Sequence, residues 1–117
     1  MNISKLNCII KKFWQSERYN DIYYLGICSE VAVALKRFLG AGTIVKRGLL
    51  HTALEYKGYY CDIRGCKTER EFKATVPGEY LRPATQKEIQ HINNLLQRDK
   101  VRYIVGGLKR AEKTCKR

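Results

Sequence analysis

The sequence predicts an α+β domain in which helices pack on a small antiparallel sheet. Three observations carry this. Apolar residues recur at helical spacing near the N-terminus and again after Cys28. Three strand-like runs follow between residues 43 and 63, the last two joined by a tight turn, and a new helical pattern opens at Thr85. The 117 residues suit a single core, and 44% hydrophobic with 29% charged residues is ordinary for a globular chain.

Ile3, Leu6, Ile9, Ile10 and Phe13 lie three or four apart, which predicts an amphipathic helix over 3–14. The polar and aromatic stretch 16–25 reads as a connector. After the Gly26-Ile27 bend, Cys28 stands at the N-terminal edge of a buried helix. Val31, Ala34, Leu35, Phe38 and Leu39 line one face of that helix, and Gly40 and Gly42 stop it. Strands are expected over 43–45, 49–56 and 59–63, with Lys57-Gly58 as a hairpin turn. A weak fourth strand is expected at 73–76. Thr85 and Glu88 have capping-box spacing, and Ile89, Ile92, Leu95 and Leu96 continue the helix. Residues 101–105 fit either a last strand or more helix. The expected organisation is one domain over 1–107, followed by a basic, partly disordered tail over 108–117.

The net charge is +12, of which residues 1–80 supply +5 and residues 81–117 supply +7. Lys109, Arg110, Lys113, Lys116 and Arg117 form the basic patch of the tail. Such an excess suits an acidic protein partner or nucleic acid. No helix-turn-helix, zinc-finger or RRM signature is present, so nucleic-acid contact rests on charge alone. The chain lacks a run of about 18 apolar residues and the apolar centre of a secretory signal, so it is expected to be cytoplasmic, with no membrane contact. Five cysteines is an odd number. Without a secretion signal, a disulfide framework is not expected. Cys61 and Cys66 have no second pair at zinc spacing, so neither a metal nor a cofactor is expected.

The chemistry centres on Cys28. A thiol becomes a good nucleophile once ionised, and the unpaired N–H groups and dipole of a helix N-terminus favour the thiolate. The hairpin adds partners. With Lys57-Gly58 as the turn, Ala53 faces Asp62, so His51, Ala53, Glu55, Tyr60, Asp62 and Arg64 share one face of the sheet. His51 and Asp62 become diagonal neighbours, close enough for the carboxylate to hold the imidazole. A register slip of one residue would send them to opposite faces. Cys28 as nucleophile, His51 as general base and Asp62 as its orienting carboxylate then form a catalytic triad.

The runs GICSEVAVALKRFL and HTALEYKGYYCDIRG resemble the papain-like cysteine peptidase superfamily, including its transglutaminase-like and NlpC/P60-like branches. Members of that superfamily place a cysteine at the start of a buried helix, a histidine on a later strand, and an Asp, Asn or His on the next. The resemblance covers roughly residues 20–66 and implies the same roles for Cys28, His51 and Asp62. Papain-like peptidases also carry a glutamine shortly before the cysteine as an oxyanion donor. The segment NDIYYLGICSE has none, which leaves Asn20, Tyr23 and Tyr24 as oxyanion or substrate-groove candidates. The implied function is a thiol hydrolase or an acyl/amide transferase acting through a thioester on a peptide or another amide. The alternative is a catalytically inactive basic binding protein on the same fold, such as a phage-encoded inhibitor of a host protein or of a nucleic-acid-binding complex.

Overall fold

The computed structural model describes residues 1–16, 28–47, 51–74, 81–95 and 97–115. In chain order the elements are α1 (Ile3–Ser16), α2 (Cys28–Leu39), β1 (Thr43–Arg47), β2 (His51–Tyr56), β3 (Tyr59–Asp62) and β4 (Gly65–Lys67). They continue as α3 (Glu69–Ala74), β5 (Leu81–Pro83), α4 (Gln86–Leu95) and α5 (Arg98–Glu112). The described residues thus form a mixed α+β fold with a five-stranded antiparallel sheet in the order β4-β3-β2-β1-β5.

The sheet is buried on both faces by unequal layers. Ile44, Leu54, Tyr56 and Cys61 meet the apolar stripes of α1, α2 and α5 in the larger core. In α1, the predicted residues Leu6, Ile9, Ile10 and Phe13 are all buried, each worth roughly 1.5–3 kcal/mol by area removed from water. On the opposite face a small cluster of Val45, Ala53 and Phe72 is extended by Tyr60 and Leu81. Strand alternation explains the division, because neighbouring residues on β1 and β2 point to opposite sides.

The β2–β3 hairpin has the expected turn. Lys57 and Gly58 both have positive φ, 52° and 82°, the backbone a two-residue turn of this twist requires. Tyr56 then pairs with Tyr59, Glu55 with Tyr60 and Leu54 with Cys61. This is the register that places His51 and Asp62 on one face.

Several expectations fail for identifiable reasons. Residues 73–74, expected to open a strand, end α3 instead. A capping box starts that helix: the Thr68 N–H donates to Glu71 Oε1 at 3.0 Å, and the Glu71 N–H donates to Thr68 Oγ1 at 3.2 Å. The strand β5, which periodicity did not indicate, is short and lies at the sheet edge, where Pro83 costs little.

The helix α5 runs through Gly106-Gly107 rather than ending in a loose tail. Val101, Ile104, Leu108 and Ala111 are buried along one stripe, which outweighs the cost of about 1 kcal/mol per glycine relative to alanine. A β-carbon at Gly107 would run into the Phe13 ring, so this glycine lets α1 and α5 approach closely. Lys109 and Arg110 sit in the last helical turn, where cations suit the dipole. The Lys12 ammonium donates to the Thr114 carbonyl at 2.9 Å, and a disulfide joins Cys8 to Cys115. Residues 108–115 therefore belong to the domain, and the expectation of no disulfide is corrected.

Among the described residues no helix is long and apolar enough to cross a membrane.

Candidate active site

Cys28 is the first residue of α2, and α2 packs against β2 and α5. The driving force is the buried stripe Val31, Ala32, Ala34 and Leu35, which fixes the helix and therefore the position of its N-terminus. That end meets the start of β2. Pairing of β3 with β2 extends only to Leu54, so the Thr52 N–H is left over and donates to the Cys28 sulfur.

The three predicted residues come together. His51 Nε2 donates to Asp62 Oδ2 at 3.1 Å, and the Arg64 backbone N–H donates to Asp62 Oδ1 at 2.8 Å. Both carboxylate oxygens are thereby held, and Asp62 is buried at 7% exposure. The imidazole also hydrogen-bonds the Cys28 thiol. With Nε2 committed to Asp62, Nδ1 is the nitrogen left for sulfur. The Phe72 ring lies beside the imidazole at 5.7 Å between centroids and stacks on Tyr60 at 5.6 Å. Phe72 is fully buried, so it forms a rigid wall for the histidine.

The electrostatics follow from these contacts. Burial alone pushes the Cys28 thiol up. Against it act the hydrogen bond to His51, the Thr52 N–H, the charge of the His51 ring and the Lys46 ammonium, and together they hold the thiol below its ordinary value. His51 moves the other way, to about 9, through its bonds to Asp62 and then Cys28, with burial opposing. A lowered thiol beside a raised imidazole favours the thiolate–imidazolium pair as the resting form. That form is lost as pH rises through about 9 and the ring deprotonates.

Lys46 escaped the sequence reading. It is buried at 8% exposure, and its ammonium donates to Thr52 Oγ1 at 3.0 Å. The Ser29 hydroxyl donates to the same Thr52 oxygen at 3.4 Å. Among the described residues no carboxylate pairs with Lys46, so a costly buried cation lies near the reactive sulfur. The signal was present in the sequence. Lys46 is two residues after the inward-facing Ile44, so a strand extended to Arg47 points it inward. The strand expected over 43–45 stopped one residue short of it. Phe72 and Thr52 carry no sequence mark beyond ordinary apolar and β-branched character.

The remaining candidates stand apart. Asn20, Tyr23 and Tyr24 lie outside the described residues, as do Lys116 and Arg117. Lys109, Arg110 and Lys113 are exposed at the end of α5, the end tied to α1. Cys61 and Cys66 face each other across β3 and β4, with the Cys61 thiol donating to Cys66 Sγ at 3.1 Å. Among the described residues no group of three or more His, Cys, Asp or Glu side chains could hold a metal ion. No family model, no curated protein and no solved structure matches this chain.

Proposed function

We propose that the chain is a minimal papain-like thiol enzyme, a hydrolase or acyl/amide transferase acting on a peptide or another amide. The supporting observation is the connected chain Cys28–His51–Asp62, in which the thiol is lowered and the imidazole raised to about 9. The order of elements supports the papain-like reading: a cysteine opening a buried helix, a histidine on a following strand and an aspartate on the next.

In the proposed reaction the Cys28 thiolate attacks the carbonyl carbon, forming the C–S bond and an oxyanion. The oxyanion collapses, the C–N bond breaks, and the His51 imidazolium gives its proton to the departing amine. Water or an acceptor amine then attacks the thioester while neutral His51 takes its proton. The C–S bond breaks, and the thiolate is restored. Asp62 keeps the ring oriented and stabilises its charged form. The α2 N-terminal amides and the Lys46 charge favour negative charge near the sulfur.

The thiol–imidazole contact favours this reading over the catalytically silent binding protein, in which nothing would require the ring to meet the sulfur. The test is acid-quenched intact-mass analysis after incubation with a fluorogenic peptide-amide library, with and without a fluorescent amine acceptor. An acyl adduct on Cys28 is expected, with turnover abolished in Cys28→Ala and reduced by about 10² or more in His51→Ala. Turnover that survives Cys28→Ala, or no adduct in either arm, would overturn the proposal. A cytoplasmic location is the part of the sequence reading that fits least well, because a Cys8–Cys115 disulfide persists most readily in oxidising compartments.

A further inference from the structure

At the opposite end of α2 from Cys28, two cavities adjoin. One, of about 390 Å³, has an aliphatic lining of Val33, Ile44, Ile89 and Ile92, flanked by Lys36 and Arg37. The other, of about 380 Å³, is lined by Arg37, Asn93, Arg98 and Arg102. Arg37 and Asn93 line both, so an apolar pocket continues directly into an arginine cluster between α2, α4 and α5. Among the described residues none of the three arginines has an acidic partner. Three like charges around one cavity repel each other, and among the described residues no carboxylate offsets them.

We infer that this cleft is a docking site for an acidic peptide segment carrying an aliphatic or aromatic anchor side chain. Charge complementarity identifies the occupant. Guanidinium forks bind carboxylates through paired hydrogen bonds, and the apolar cavity takes the anchor beside them. Nucleic acid fits less well, because among the described residues no aromatic side chain lines either cavity to stack on a base. A membrane surface fits less well too, because the arginines line a concavity rather than one flat amphipathic face. Arg37 lies nine residues beyond Cys28 on α2, about 13 Å along the axis. The cleft is therefore separate from the thiol, and the inference stands apart from the proposed chemistry.

The test is fluorescence anisotropy with the full chain, both wild type and Cys28→Ala, so that loss of thiol chemistry cannot be mistaken for loss of docking. The probe is a labelled dodecapeptide pool in which one leucine or phenylalanine precedes three glutamates. Parallel probes replace the glutamates by glutamine or the anchor by serine. A twelve-nucleotide oligo(dT) and phosphatidylserine vesicles complete the set.

Saturable binding of the acidic pool is expected in both proteins, weakened about tenfold or more by Arg37→Glu/Arg102→Glu and by either peptide replacement. The control Lys109→Glu/Arg110→Glu, with the same change in net charge, should leave binding within about twofold. An equal loss in that control would mean unspecific charge attraction and overturn the proposal. Tighter binding of the oligonucleotide or the vesicles through Arg37 and Arg102 would overturn it as well, as would no saturable peptide binding. Because these arginines are exposed, circular dichroism melts should match wild type; if they do not, Arg102→Gln replaces the double variant.

Discussion

At the N-terminus of α2 a half-buried thiol meets an imidazole, a backbone N–H and the field of a buried ammonium. Between β3 and β4 a fully buried thiol, Cys61, meets the second thiol of Cys66 and the charges of Asp62 and Glu55. The two sulfurs shift in opposite directions. Cys61 is driven well up, first by its hydrogen bond to Cys66 and then by burial and neighbouring negative charge. At Cys28 burial also pushes upward, yet the donors and cations around it prevail. Burial therefore does not distinguish a reactive cysteine from an inert one; the sign of the neighbouring groups does. Asp62 serves both regions. Its carboxylate raises His51 on one face of the sheet and also raises Cys61, the preceding residue, whose side chain points to the other face.

The largest break in this contrast should come from His51→Ala. Iodoacetamide labelling of Cys28 at pH 6, read by peptide mass spectrometry, should fall about tenfold or more, while Cys61 stays unlabelled in the native chain. Asp62→Asn should come next. It removes the main support of the imidazolium, so His51 should titrate about one unit or more below its present value near 9, measured by ring-proton NMR. At pH 8 half or more of the rings would then be neutral, and Cys28 labelling should drop with them.

A smaller effect is expected from Lys46→Met, which should slow Cys28 labelling by about three- to tenfold. The melting temperature should hold or rise, because among the described residues no carboxylate offsets the desolvation of the Lys46 ammonium, and its removal relieves that cost. Cys66→Ser sharpens the other side of the comparison. It takes away the partner of Cys61 but not its burial, so Cys61 should remain unlabelled and Cys28 should change by no more than about twofold.

Much of this arrangement was legible in the sequence, because it rests on local rules. The stripe following Cys28 sets the helix and the place of the sulfur. Lys57-Gly58 sets the hairpin, and the hairpin register brings His51 to Asp62. What escaped depends on tertiary partners. Two glycines read as the end of a domain, yet α5 continues through them because Leu108 and Ala111 find a core and Gly107 finds the Phe13 ring. Lys46 lies just beyond the strand expected over 43–45, and it is the extension of β1 to Arg47 that turns it inward. Phe72 lies in a six-residue helix whose start is set by a side-chain cap rather than by periodicity. The arginine-lined cleft joins residues of three separate helices, which no local pattern in the sequence connects.

The central claim is that Cys28 rests as a thiolate beside a charged His51. Its most direct test is the rate of iodoacetamide alkylation from pH 4 to 9, resolved for each cysteine, in wild type and His51→Ala. The account predicts that Cys28 alkylation rises well below the ordinary thiol value of about 8.5, outpaces Cys66 throughout, and loses that advantage without His51. A Cys28 profile that rises only near or above that value, or that is unchanged in His51→Ala, would contradict it.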